Sequence, residues 1–127
     1  MKAKALLAIA ALIGVAAPAV ATGGYSCATI RGAPLRLAIV TAHGVAPVVA
    51  QVRLTEGGRT LSSAAPGAQL LIAQSWIDSR ELKLDLTDPA FQRYEARLRA
   101  RITGRLTAAG SIARNGVTRP IRCTIEQ

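Results

Sequence analysis

The sequence predicts an all-β chain: a small antiparallel barrel or sandwich of about seven to eight strands, behind a removable N-terminal segment. Three observations carry that expectation. Apolar residues recur with period two in several short runs. Turn residues separate those runs at even spacing. A cysteine lies near each end of the part that would remain, Cys27 and Cys123.

The first 21 residues stand apart. Lys2 and Lys4 precede an unbroken run of apolar and small residues from Ala5 to Ala17. Pro18 breaks a helix there, and Ala19-Val20-Ala21 places small residues where a signal peptidase cuts. Residues 1–21 are therefore expected to be a signal peptide cleaved after Ala21. Residues 22–127 are then one domain in the periplasm of a bacterium or outside the cell. The apolar run is shorter than the roughly 20 residues a membrane-spanning helix needs. Cys27 lies too far from the cut to carry a lipid anchor, and no transmembrane segment is expected after residue 21. An oxidising compartment makes a Cys27–Cys123 disulfide the natural expectation. The first and last strands should then lie side by side or face each other.

The strands can be taken in order. Leu35, Leu37 and Ile39 alternate with Arg36 and Ala38. Val48, Ala50, Val52 and Leu54 alternate with Gln51 and Arg53. Leu82, Leu84 and Leu86 alternate with Glu81, Lys83 and Asp85. Each run is the pattern of a half-buried strand. Gly57-Gly58, Pro66-Gly67, Asp88-Pro89 and Asn115-Gly116 mark turns, and residues 62–68 a surface loop.

Two hairpin registers follow from side-chain matching. A two-residue loop at Asn115-Gly116 sets Arg114 opposite Val117, Ile112 opposite Arg119, Gly110 opposite Ile121, Ala108 opposite Cys123 and Leu106 opposite Ile125. The Arg119 head would reach water near the turn. A three-residue loop, Asp78-Ser79-Arg80, sets Trp76 opposite Leu82, Gln74 opposite Leu84 and Ile72 opposite Leu86.

Residues 90–105 decide the fold class. As a strand, Tyr94, Ala96, Leu98, Ala100 and Ile102 fall on one side. Arg93, Glu95, Arg97, Arg99, Arg101 and Arg105 fall on the other. As a helix over 90–102, Asp88 caps, Pro89 starts, and Tyr94, Leu98 and Ile102 share a face; the fold is then α+β. The helix stacks Arg93, Arg97, Arg101 and Arg105 four apart, where like charges repel. The hairpins on both sides favour the strand.

The residue inventory restricts chemistry. Two cysteines and one histidine cannot make a four-ligand Cys/His zinc site, so no metal and no cofactor is expected. His43 lacks a Gly-x-Ser-x-Gly elbow to position a serine beside it. Asp78 with Glu81, and Asp85 with Asp88, are the candidate carboxylate pairs for glycosidic chemistry. Asp78 and Asp88 are expected instead to cap their own turns, with Glu81 and Asp85 on an outward face. Gly57-Gly58-Arg59 is expected to be a turn, not a phosphate cradle. The chain is not expected to be an enzyme, and no catalytic residue is assigned.

The formal net charge is +9, and 13 of the cations are arginines. Arg93, Arg97, Arg99, Arg101 and Arg105 form the possible anion-binding face, since guanidinium forks hold carboxylate and phosphate well. The competing expectation is a solvated face of an arginine-rich protein. Nucleic acid is not an expected partner, because no aromatics interleave with the arginines. Two roles remain for a small bridged β-domain. One is a binding or inhibitor-type module of the bacterial envelope, presenting loops to an unknown protein partner. In general plan it is similar to the exported bacterial lysozyme inhibitors. Residues 62–67 do not match the loop motif of those inhibitors, and no residue is assigned by the likeness. The other is a structural envelope protein docking on anionic lipid or glycan through the arginine face.

Overall fold

The computed structural model describes residues 22–127; the signal peptide expected at 1–21 and its cleavage after Ala21 lie outside the described residues. Nine strands follow one another: β1 (Thr22–Thr29), β2 (Leu35–His43), β3 (Pro47–Glu56), β4 (Arg59–Ser62), β5 (Leu71–Ile77), β6 (Glu81–Thr87), β7 (Tyr94–Ile102), β8 (Thr107–Arg114) and β9 (Val117–Glu126). All neighbours are antiparallel. There is no helix among the described residues.

The strands form a single curled sheet, a half-barrel, in the order β4-β3-β2-β1-β9-β8-β7-β6-β5. It is an up-and-down meander whose first and last strands meet in the middle of the sheet. Its two edges are β4 and β5, which are consecutive in the chain. The curl brings β5 towards β3, and residues 63–70 close the gap. Ser63 N–H donates to the Val52 carbonyl (3.0 Å), and the Ser63 hydroxyl accepts from Val52 N–H (2.8 Å). Leu70, in the same segment, is wholly buried. Residues 62–68 were expected to be a surface loop; they are exposed or half-buried, Ser62 ending β4, and they lead into the seam of the half-barrel at Leu70.

The helix alternative for 90–102 is not realised. Residues 94–102 pair with β6 on one side and β8 on the other, so their backbone groups find partners across the sheet rather than along a helix. The ninth strand, beyond the expected seven to eight, is β4. Its four residues, Arg-Thr-Leu-Ser, are too few to show an alternation, and a short edge strand limits pairing with other chains.

The inward face carries Cys27, Leu35, Leu37, Ile39, Val52, Leu54, Leu82, Leu84, Leu86, Leu98, Ile112, Ile121 and Cys123, all buried in one cluster. Cys27 and Cys123 stand directly opposite on β1 and β9 and are disulfide-bonded. The bridge sews β1 to β9 inside the core. At Gly110 the β7 backbone approaches so closely that a Cβ would overlap the Arg99 carbonyl; the position admits only glycine.

The β8–β9 register is as expected from Arg114–Val117 to Ala108–Cys123. Asn115 (φ 51°) and Gly116 (φ 76°) make the two-residue turn. Ile125 N–H donates to the Leu106 carbonyl at 2.8 Å.

Three bulges alter the other alternations. In β3, the partner of Val40 is Gln51 and that of Thr41 is Val49. Ala50 is the extra residue, so Val52 and Leu54 are buried while Val48 is exposed. In β5, Ile77 pairs with Leu82 and Trp76 with Lys83. The expected Trp76–Leu82 and Gln74–Leu84 pairs are therefore one residue off. A bulge at Ala73 restores the expected Ile72–Leu86 pair. In β7, Glu95 is the extra residue, Leu86 pairing with Ala96 and Thr87 with Tyr94. Tyr94 consequently faces out, and Glu95 is buried rather than outward.

Candidate anion-binding face

The outer face of the sheet is built by residues that interrupt the buried runs. Between Leu82 and Leu86, β6 turns Lys83 and Asp85 outward. Between Leu98 and Ile102, β7 turns Arg99 and Arg101 outward, with Arg97 one step before. The cross-strand rows are Trp76–Lys83–Arg99–Ser111 and Gln74–Asp85–Arg97–Ala113.

Asp85 lies outward as expected, yet it is only 2% exposed because two arginines cover it. Arg97 Nε donates to its Oδ1 at 3.2 Å. Arg99 Nη1 donates to Oδ1 at 2.9 Å and Nη2 to Oδ2 at 3.3 Å. Burial pushes the Asp85 carboxyl up, but the N–H donors and charges of Arg99 and Arg97 outweigh it. Asp85 therefore stays below the usual carboxylate range. Asp85 likewise raises Arg97, whose guanidinium also sits 4.4 Å over the Tyr94 ring.

The five arginines expected to share one face are thus divided. Arg97 and Arg99 are matched to Asp85. Arg93 lies in the β6–β7 loop and pairs with Glu95 at 3.0 Å. Arg105 lies in the turn between β7 and β8. Of the five, Arg101 alone stands on the outer face with no carboxylate within 4.0 Å among the described residues; Glu81, opposite it, pairs with Lys83 at 3.4 Å.

Arg101 belongs instead to a row that runs across the strands. Arg101 is opposite Ala109, Ala109 opposite Arg122, Arg122 opposite Ala28, and Ala28 opposite Arg36. Alanines separate successive arginines, which therefore stand two strand spacings apart, about 9.5 Å. Arg53 on β3 lies diagonally beside Arg36. All four are exposed, and among the described residues no carboxylate lies within 4.0 Å of any of them. A groove of about 380 Å³ runs past Arg36, Arg53, Ser26, Thr55 and Thr60. Another, of about 320 Å³, runs past Lys83, Arg99, Arg101 and Ser111.

The inward arginines behave differently. Arg114 reaches into the end of the half-barrel where Asn115-Gly116 and Gly57-Gly58 turn. It meets Glu95 Oε2 at 3.1 Å and Glu56 Oε1 at 3.3 Å. Arg119 was expected to end in water; it turns to Glu56 Oε2 at 3.5 Å. This closed network walls a cleft of about 590 Å³ that also touches Arg59, Asp88 and Arg93.

The remaining candidates are accounted for locally. Asp78 accepts from Trp76 Nε1 (2.9 Å) and from the backbone N–H of Arg80 and Glu81; these bonds lower its pKa, Trp76 first. Asp88 accepts from the Gln92 and Arg93 N–H groups, which lower it as well. His43 ends β2, exposed. Among the described residues no group of three His, Cys, Asp or Glu is placed to hold a metal, and no helix is long and apolar enough to cross a membrane.

Arg36, Arg53 and Arg122 were not singled out in the sequence. Each lies between two buried residues of a strand, so its outward direction was legible. Their alignment was also within reach: once Cys27 is opposite Cys123, Ala28 must be opposite Arg122. Comparison with protein-family models, with curated proteins and with solved structures finds no match for this chain.

Proposed function

We propose that the chain is an exported, non-catalytic binding module of the bacterial cell envelope. It docks on an anionic envelope component, lipid or glycan, through the outer face of its sheet. One observation carries this reading: Arg36, Arg53, Arg101 and Arg122 stand together on that face with no carboxylate among the described residues to neutralise them. Guanidinium groups held apart on a rigid sheet attract a polyanion without first breaking an internal ion pair. The buried disulfide is compatible with a periplasmic or extracellular location. The non-catalytic assignment draws on Asp78 and Asp88, whose carboxylates are engaged by their own loops.

The test is retention on anionic lipid vesicles and on an immobilised linear acidic polysaccharide, at low and at high salt. The protein binds at least one of them at low salt and is released at high salt. The Arg36, Arg53, Arg101 and Arg122→Gln variant loses retention while keeping its disulfide and β spectrum. Undiminished retention of that variant overturns the proposal.

A second reading, the inhibitor-type module with a protein partner, draws on the β2–β3 tip. There Val45 is fully exposed, flanked by exposed Val40 and Val48. A stoichiometric complex with an envelope protein, abolished by Val45→Asp and kept by the four-arginine variant, would put it in place of anion docking.

A further inference from the structure

We infer that the cleft between β5 and β7, beside Trp76, is a subsite for one acidic sugar residue: a six-membered ring bearing a single carboxylate. The inference rests on the outer face being the docking surface, and it narrows the ligand from any anion to an acidic glycan.

The cleft holds about 420 Å³ and is lined by Gln74, Ser75, Trp76, Lys83, Asp85 and Arg99, with Leu84 beneath. Trp76 is 57% exposed, an unusual fate for a large aromatic residue. Its indole is held in place, Nε1 donating to Asp78 Oδ2 at 2.9 Å. Asp78 is itself fixed by the Arg80 and Glu81 N–H groups. A fixed, exposed indole beside polar side chains is a platform for a ligand with one apolar face and a polar rim. A pyranose ring has that shape: C–H bonds on its face, hydroxyls at its edge. The Gln74 side-chain amide, next to Trp76 on the strand edge, can both donate to and accept from such hydroxyls.

The charge of the cleft selects the acid. Lys83 and Arg99 face one carboxylate, Asp85. Adding the outer partners, Arg97 on Asp85 and Glu81 on Lys83, leaves the same excess of one positive charge. That excess matches a carboxylate monoanion better than a phosphate dianion. Arg99 has five N–H donors; two go to Asp85 and one to the Leu98 carbonyl. Two remain for a ligand, together with the Lys83 ammonium, whose side chain is about half exposed.

Shape separates a glycan from a lipid surface. The outer face of a curled sheet is convex, so a flat bilayer meets only part of it. A polymer chain can follow the curve from the Trp76 cleft, over the Arg99–Arg101 groove, to Arg122 and Arg36. Arginines two strands apart suit a chain with its acid on alternate sugars.

Trp76 is the only tryptophan of the chain, so its fluorescence reports this cleft alone. The disulfide-bonded protein is titrated with glucuronate, glucose, acetate and inorganic phosphate at low ionic strength. Glucuronate changes the emission saturably. Glucose lacks the charge and acetate lacks the ring, so each binds at least about tenfold more weakly, the range expected for losing a charged hydrogen bond. Phosphate binds more weakly than glucuronate. Lys83→Met and Gln74→Ala weaken glucuronate, whereas the Arg36, Arg53, Arg101 and Arg122→Gln variant still saturates. Equal responses to glucose and glucuronate, or a stronger one to phosphate, overturn the acidic-sugar assignment. No response to glucuronate from a protein that the acidic polysaccharide still retains overturns the subsite and leaves the docking face standing. Loss of both overturns both.

Discussion

Two groups of arginines on the same sheet have opposite fates. Arg114 and Arg119 point inward and close a network with Glu56 and Glu95 at one end of the half-barrel. Arg36, Arg53, Arg101 and Arg122 point outward and have no carboxylate partner among the described residues. The first group is structural: a guanidinium taken partly out of water must be matched where it lies. The second costs the fold little, because water solvates it, and it is left available to an external anion. Arg97 and Arg99 sit between these extremes, half exposed yet matched to the nearly buried Asp85. Parity along the strand and the cross-strand neighbour decide which group an arginine joins; abundance does not.

The comparison can be broken at its hinge first. The outward row crosses the β1–β9 pair one residue from the disulfide, since Ala28–Arg122 is adjacent to Cys27–Cys123. The bridge closes a sequence separation of 96 residues. Replacing both cysteines by serine is expected to cost on the order of 4 kcal/mol. Chemical denaturation of the two forms checks it. A variant of unchanged stability would mean that the chain ends are held by pairing alone.

The inward group comes next. Arg114→Met removes the arginine that Glu95 and Glu56 share, leaving Glu95 only the exposed Arg93, and is expected to destabilise by about 2 kcal/mol. Glu95→Gln with Arg114→Met should recover part of that loss, because the more buried of the two carboxylates is then uncharged. A double-mutant cycle by thermal denaturation measures the coupling.

Asp85 gives a smaller effect and a pH signature. Asp85→Asn is expected to cost about 1 kcal/mol, the figure for one charged contact whose arginine partners stay half in water. The sign follows from the depressed carboxyl. Its contribution is complete above the ordinary aspartate value of about 3.9. It fades as pH falls through the lower folded value. Stability of the unaltered protein should therefore decline in acid below that range, and less steeply in the Asn variant. Parallel curves would remove Asp85 from the account.

The smallest effect on stability belongs to the outward group. Arg36, Arg53, Arg101 and Arg122→Gln should leave the melting midpoint nearly unchanged, as surface substitutions usually do. Only binding should suffer.

Much of this was legible in the sequence, and the exceptions have identifiable causes. The β8–β9 hairpin could be registered residue by residue because Asn115-Gly116 permits only a tight turn and its apolar positions match. Strand β7 was separable from a helix by its flanking hairpins. Bulges at Ala50, Ala73 and Glu95 were not legible. A bulge adds one residue to one strand and leaves no mark in the alternation until the partner is known. Hence Tyr94 and Val48 were placed on the wrong side; Trp76 was misplaced because the stretch between the paired Ile77 and Leu82, residues 78–81, is one residue longer than expected. The outward arginine row was missed for another reason. A row along β7 is visible in a sequence, whereas a row across β7, β9 and β2 has to be assembled from one cross-strand register after another.

The most direct test of the central claim compares two variants that lose the same charge. One carries Arg36, Arg53, Arg101 and Arg122→Gln. The other carries Arg31, Arg59, Arg80 and Arg105→Gln, which are exposed arginines at loops, turns and the start of β4. Salt-dependent retention on an acidic polysaccharide is measured for both. The account predicts that the first variant is lost at low salt while the second is held nearly as well as the unaltered protein. Equal weakening of the two would contradict it, and would reduce the outer face to its share of the net charge.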